Sequence, residues 1–357
     1  MIDLDDPAAV RAADPSGILD AVMGLGDQCR RGYEIGRAAP LLPDASGIST
    51  IVLCGMGGSG IGGDAIRALY RDRLGIPIEV VKDVSLPVHC STSTLVVCSS
   101  FSGNTGETLG CFRDALDRGC RVVAVCSGGE LRARAEEAGV PALVIPEGPP
   151  SPRTALGLLL LSALGALEAM GVVPPLREEM ESAASATDRV AAVVAPGSTG
   201  EGNHAKRIAR GMGDRMPVVW GAEGLGAVAA TRWKTEFQEN AKVPAFSASS
   251  PELDHNEIVP WGEAGTTQRS LFKLIVLRHE SEHPDVDLGG SEEIASEGAG
   301  LEAVEVRAEG DSPLARFLSL VVVGSATSVY LALLRGVDPA PIPAIDRLKR
   351  ERASRRP

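Results

Sequence analysis

Ile51–Asp64 reads IVLCGMGGSGIGGD: a short apolar run stops at glycines, passes a small-residue turn bearing one hydroxyl, Ser59, and enters a helical pattern from Ile61 to Arg73. Strand, glycine turn and helix in that order aim backbone N–H groups and a helix N-terminus at an anion, usually a phosphate. Working outward, apolar runs recur at Thr50–Cys54, Ile78–Val81, Leu95–Cys98, Val122–Cys126 and Leu143–Ile145, with helical patterns at Ile61–Arg73, Thr105–Arg118 and Glu130–Ala138 between them. Short strands alternating with helices predict right-handed βαβ units and a parallel sheet covered on both faces, an α/β doubly wound domain.

Before that domain, Ser16 is placed to cap one helix running to about Arg37. After it, Glu147–Arg153 (EGPPSPR) reads as a rigid joint and Thr154 opens a long apolar helix, followed by another over about Leu176–Val194. Pro196–Asn203 (PGSTGEGN) reads as a loop that marks a second domain. Beyond it the spacing predicts helices at His204–Met212 and Val228–Asn240, and strands at Val218–Trp220, Pro244–Ser247, Leu271–Arg278 and Ala303–Arg307. Gly289–Gly300 reads as a surface loop or short helix. The expected architecture is two stacked α/β halves.

At 357 residues with 44% hydrophobic side chains, the chain has material for two domains with ample core, and only 3% aromatics make that core aliphatic. A formal net charge of −12 argues against a nucleic-acid or membrane-surface binder. The basic tail Lys349–Arg356 reads as a solvated helix end. Phe317–Leu334 and Ala155–Ala169 are apolar enough to suggest membrane spans, but their length and small polar residues fit buried helices better. Seven scattered cysteines without a CxxC pair predict a reducing cytoplasm, no disulfide framework and no zinc site. The acidic start MIDLDDPAAV lacks the order of a signal peptide.

Gly55, Gly57 and Gly60 satisfy G-x-G-x-x-G, and Asp83 follows where a ribose-binding acid would stand, so a nicotinamide-dependent oxidoreductase is one reading. No Gly-Lys-Ser/Thr ends the turn, which excludes a Walker loop. A second loop points elsewhere. After Leu95–Cys98 comes Ser99-Ser100-Phe101-Ser102-Gly103-Asn104-Thr105-Gly106-Glu107-Thr108, which opens another helix. Several hydroxyls around a glycine turn at a helix N-terminus suit one phosphate monoester, and a dinucleotide enzyme has no use for such a second site. Glu107 stands where a capping-box acid would tie down the turn.

GMGGSGIGGD and SSFSGNTGET together resemble the SIS sugar-isomerase domain, an α/β fold that binds phosphosugars. The resemblance implies that Ser59, Ser100, Ser102 and Thr105 hold the substrate phosphate, with the backbone of Gly57 and Gly58 close to the sugar. Trp233–Glu257 (WKTEFQENAKVPAFSASSPELDHNE), with Glu-Asn-Ala-Lys and then His-Asn, resembles the bifunctional phosphoglucose/phosphomannose isomerases. Pro152-Arg153 and Ile345-Asp346-Arg347-Leu348-Lys349 extend that resemblance over residues 51–349.

It implies two SIS-type doubly wound, Rossmann-like subdomains, each a parallel sheet flanked by helices. The expected division is an N-terminal helical segment over 1–39, a first SIS domain over 40–153, connecting helices over 154–195 and a second SIS-like domain over 196–357. The implied activity interconverts glucose 6-phosphate and fructose 6-phosphate, with mannose 6-phosphate as a further substrate. Glu239 would move the proton between C1 and C2, Arg153 would stabilise the enediolate, and His255, contributed by the neighbouring subunit of a homodimer, and Lys349 would act in ring opening. No metal or organic cofactor is implied. Bifunctional members carry a threonine shortly before the lysine; here 338–348 has none, which bears on the mannose epimer. SIS modules also serve as non-catalytic phosphosugar sensors, the alternative reading. Glu236, His89, His204, His279 and His283 read as solvated or structural.

The residue types suit the chemistry independently. Moving a proton between adjacent carbons needs one base that can take and return it, and a fixed cation lowers the energy of the enediolate.

Overall fold

The computed structural model describes residues 2–198, 202–262, 265, 269–279, 288–299 and 303–354; His283, Arg355, Arg356 and loop residues 199–201 lie outside them. The N-terminal segment forms three helices rather than one: α1 (Pro7–Ala13), α2 (Ile18–Met23) and α3 (Leu25–Arg37). Gly24 separates α2 from α3. Ser16 is not the cap: Asp14 accepts the N–H groups of Ile18 and Leu19, at 3.1 and 2.7 Å, and does that work with two carboxylate oxygens where one hydroxyl was expected.

Five parallel strands follow, β1 (Thr50–Cys54), β2 (Ile78–Val81), β3 (Thr94–Ser100), β4 (Arg121–Cys126) and β5 (Ala142–Val144), in the order β2-β1-β3-β4-β5. Helices α4 (Gly57–Tyr70), α5 (Gly106–Asp117) and α6 (Gly129–Glu137) connect them. α7 (Leu156–Ala169), α8 (Arg177–Val194) and α9 (His204–Met212) lead to a second sheet. Its parallel strands are β6 (Met216–Ala222), β7 (Phe246–Ser250), β8 (Phe272–Arg278) and β9 (Ala303–Arg307), in the order β7-β6-β8-β9. α10 (Leu225–Asn240), α11 (Leu288–Ala299), α12 (Pro313–Leu334) and α13 (Pro343–Ser354) follow, so the expected loop or short helix at Gly289–Gly300 is helix as far as Ala299, and Gly300 lies outside the described residues.

Alternation along the strands builds the core, because successive side chains point to opposite faces. Ile51, Leu53, Leu95, Val97, Val123 and Val125 face inward, and Val219, Ile275 and Leu277 of the second sheet join the same apolar cluster. Val52, Cys54, Val96, Cys98, Ala124 and Cys126 face outward to α5 and α6. All seven cysteines are free, and burial raises the Cys29 thiol to about 12, so these side chains act as small core residues. Among the described residues two helical stretches, Pro152–Ala169 and α12, are long and apolar enough to cross a membrane, and both are buried inside the protein.

Candidate active site

β1 and β3 are neighbours, yet their connections leave toward opposite edges of the sheet, β1 to β2 and β3 to β4. The crevice outside their carboxyl ends is the position where an open α/β sheet binds a ligand. α4 starts there at Gly57, with φ +49°, so Ser59 stands in the first helical turn and not in a loop before it. No side chain caps the N-terminus of α4 or of α5, which leaves N–H groups of both helices directed at the crevice.

The two turns are bolted together. The Ser59 hydroxyl accepts the Phe101 N–H at 3.0 Å, which leaves its own O–H to donate. Ser100, buried, donates to the Thr105 hydroxyl at 3.0 Å, so Ser100 orients Thr105 while Thr105 keeps a proton to offer. Ser102 is exposed and accepts the Asn104 N–H at 3.2 Å. Gly103 has φ +67°, and a Cβ there would lie 1.9 Å from the Gly128 carbonyl, so only glycine fits this bend. Glu107 is not a capping-box acid: Thr105 is the N-cap and makes no side-chain cap bond, which puts Glu107 at the second helical position. The capping box of this region is Ser151 with Thr154, around the short 3-10 turn Pro152–Ala155.

That turn brings Arg153 to the site. A Cβ on Gly58 would lie 2.8 Å from the Arg153 backbone nitrogen, so the absence of a side chain at Gly58 lets the first turn of α4 rest on the Arg153 backbone. From the other side comes the C-terminus of α10. The Arg153 Nη1 meets Glu239 Oε2 at 3.2 Å; the arginine side chain is 2% exposed and the glutamate 26%. Arg153 Nε donates to Asn240 Oδ1 at 2.7 Å, and Nη2 donates to the Pro339 and Ala340 carbonyls at 2.8 and 3.0 Å. A cation is well placed at a helix C-terminus, where the backbone carbonyls point outward.

Glu236 departs from its reading as a solvated charge. It is 2% exposed, ion-paired with Arg232 one turn earlier, and accepts the Asn240 amide at 2.6 Å. Burial pushes its carboxyl up, opposed first by Arg232 and then by Arg153. Arg232 joins this group, as do Asn240 and Lys242 of the Glu-Asn-Ala-Lys motif, to which the sequence assigns no role of their own. The visible signal was the spacing Arg232, Glu236, Asn240, which puts three polar side chains on one helical stripe. Lys242 donates to the Asp338 and Pro339 carbonyls, both at 2.9 Å, and burial, with Arg153 nearby, lowers its pKa.

Two expected residues are not gathered with this group. His255 ends the 3-10 turn Glu252–His255, is exposed, and its side chain makes no hydrogen bond or ion pair among the described residues. Lys349 lies on α13, whose residues 343–350 are all exposed. Asp83, the candidate ribose acid, is exposed and accepts the N–H of its neighbour Val84 at 2.6 Å, while Cys111 donates its thiol to the Asp83 carbonyl at 3.2 Å. Among the described residues no three His, Cys, Asp or Glu side chains gather as a metal site.

Residues 201–351 match the family model described as the bacterial phospho-glucose isomerase C-terminal SIS domain. The chain is 33% identical to a bifunctional phosphoglucose/phosphomannose isomerase of Caldicellulosiruptor bescii, over 94% of this chain and 99% of that protein. It is 36% identical to the protein of the same name from Aquifex aeolicus, over 84% and 89% of the two chains. A glucose-6-phosphate isomerase-like protein of Thermus thermophilus superposes with a TM-score of 0.62 at 22% identity, over 98% of this chain and 99% of that one, a likeness of fold.

Proposed function

The chain belongs to the bifunctional phosphoglucose/phosphomannose isomerase family, and from that membership we propose how its own residues carry the reaction. It is an aldose–ketose isomerase that interconverts glucose 6-phosphate and fructose 6-phosphate and acts on mannose 6-phosphate. The observation that carries the site assignment is the position of Arg153, whose backbone rests on the α4 turn of Ser59 while its guanidinium faces Glu239.

In this reading the phosphate sits on Ser59, Thr105 and the two uncapped helix ends, with Ser100 holding Thr105 and Ser102 at the exposed rim. Gly57 and Gly58 keep the backbone close to the sugar. Glu239 takes the proton from C2 of the open-chain aldose and returns it to C1. The second Nη1 proton of Arg153 donates to the enediolate oxygen as charge develops. The threonine-free segment 338–348 that precedes Lys349 starts with the Asp338, Pro339 and Ala340 carbonyls held by Lys242 and Arg153.

His255 and Lys349 act in ring opening, His255 on the site of a second copy in a homodimer. Supporting this is the exposure of His255, whose side chain has no partner among the described residues. We divide the chain into segments 1–39, 40–153, 154–195 and 196–357, which the presence of two separate sheets supports, and the seven free thiols support a cytoplasmic location.

A coupled assay of purified protein on glucose and mannose 6-phosphates, with Glu239→Gln as control, tests the reading. Binding without turnover of either sugar would overturn it in favour of a phosphosugar sensor. Mixing Glu239→Gln with His255→Ala chains tests the shared site: turnover should return only if His255 crosses between subunits.

A further inference from the structure

Arg153 is gripped at both ends by one closed ring of hydrogen bonds. Arg232 Nη2 donates to the Arg153 carbonyl and pairs with Glu236 Oε1. Glu236 Oε2 accepts the Asn240 amide at 2.6 Å, and Asn240 Oδ1 accepts Arg153 Nε at 2.7 Å. Arg232, Glu236 and Asn240 are all buried, Asn240 completely. The direction of the Asn240 amide is fixed from behind. Ser328 donates its hydroxyl proton to the Ser325 carbonyl at 2.7 Å, so its oxygen is left to accept from Asn240 Nδ2, which it does at 2.9 Å. With both Nδ2 protons spent on Glu236 and Ser328, the amide oxygen must face Arg153.

We propose that Asn240, held by Glu236, is a positioning residue for Arg153, and that this ring sets which single N–H of the guanidinium is free for the substrate. The inference rests on the reading of Arg153 and Glu239 given above. A guanidinium has five N–H donors. Asn240 takes Nε, the Pro339 and Ala340 carbonyls take Nη2, and Glu239 takes one from Nη1, which leaves one Nη1 proton beside the Glu239 carboxylate. An arginine without its Nε partner would be free to turn, and the stabilising donor would then have to be ordered during the reaction rather than beforehand. Burying the Glu236 carboxylate opposes folding unless it is well paired, and Arg232 supplies the pairing while also fixing the Arg153 backbone.

The test inverts one hydrogen bond. Asn240→Asp removes both Nδ2 donors and sets a second carboxylate against Glu236, so repulsion turns the side chain and takes its acceptor away from Arg153 Nε. Adding Glu236→Gln restores the contact with the donor and acceptor exchanged, and leaves the number of charges in the ring unchanged. Steady-state kinetics on glucose 6-phosphate should show Asn240→Asp lowering kcat by about 10²-fold with KM nearly unchanged, the scale expected of a misplaced catalytic group. The double variant should recover at least about tenfold of that loss. Thermal melts and hexose 6-phosphate binding check that each variant is folded.

The inference is overturned if folded Asn240→Asp keeps wild-type kcat, if its loss appears in KM alone, or if the folded double variant is no faster than the single. Should Asn240→Asp not fold, the double variant decides. Turnover within about tenfold of wild type supports the ring, and a folded enzyme as slow as Glu239→Gln overturns it. Wild-type protein is assayed first: without turnover there, the reading of the site and this inference fall together, whereas active wild type with an indifferent Asn240 ends this inference alone.

Discussion

The turns from β1 into α4 and from β6 into α10 are built alike and used differently. Each carries two glycines five residues apart, Gly55 and Gly60 in one and Gly221 and Gly226 in the other. A Cβ on Gly60 would stand 2.5 Å from the Gly55 carbonyl, and one on Gly221 would stand 2.3 Å from the Gly226 carbonyl. Both turns bring their two glycines into close approach, with the crowded position second in one and first in the other. The chemistry differs: beside the second glycine the first turn has Ser59, with an O–H to offer, and the second has the buried apolar Leu225. α4 uses its N-terminus and α10 its last turn, where Glu239 and Asn240 meet Arg153. Helix polarity accounts for the division, since N–H groups attract a phosphate at one end and carbonyls attract a cation at the other.

Four measurements can break or sharpen that contrast. Glu239→Gln should lower isomerisation by roughly 10²–10⁴-fold, the usual contribution of a positioned base, and leave hexose 6-phosphate binding intact; lost binding would mean the last turn of α10 also holds the sugar. With Ser59 on the phosphate as proposed, Ser59→Ala would remove a hydrogen bond to a charged group, worth about 1.5–3 kcal/mol, and should raise KM roughly 10–150-fold. Leu225→Ala in the matching turn should leave KM where it is, and a comparable rise there would give the second turn a binding role. Gly60→Ala and Gly221→Ala each force a Cβ against a carbonyl and should cost about 1–3 kcal/mol of stability in urea melts, but only Gly60→Ala should also weaken substrate binding.

The smallest effect concerns the second half alone. Burial holds His204 below its usual 6.5, so the neutral form is favoured in the folded state. The unfolded chain then binds more protons as pH falls through 6.5, and stability should decline from there down to the folded-state value. His204→Gln should flatten the dependence of Tm on pH over that window; an unchanged slope would assign it to other groups.

Much of this was legible from residues. Alternating apolar runs predicted the strands, and the hydroxyl-bearing glycine turns lie where expected, at the starts of the two uncapped helices α4 and α5. What failed did so for nameable reasons. Ser16 was a reasonable cap, but Asp14 reaches two N–H groups at once. Glu107 had capping spacing only if the helix began one residue earlier than it does. Glu236 lies three residues before Glu239 and looks like any helix-surface carboxylate; α12 covers that stripe, with Ser328 reaching Asn240 and the Leu320 carbonyl accepting the Trp233 indole N–H at 2.8 Å.

Sequence by itself determined the parallel sheets, the glycine turn at the start of α4 and the family to which the chain belongs, because periodicity, glycine placement and motif spacing are local properties of the chain. Tertiary structure alone decided which polar residues of α10 are inside and which donors of Arg153 are already taken. Those outcomes depend on partners 86 to 187 positions away, such as Glu239, Asn240, Pro339 and Ala340 around Arg153, and no local pattern records which distant carbonyl or amide will satisfy a buried guanidinium.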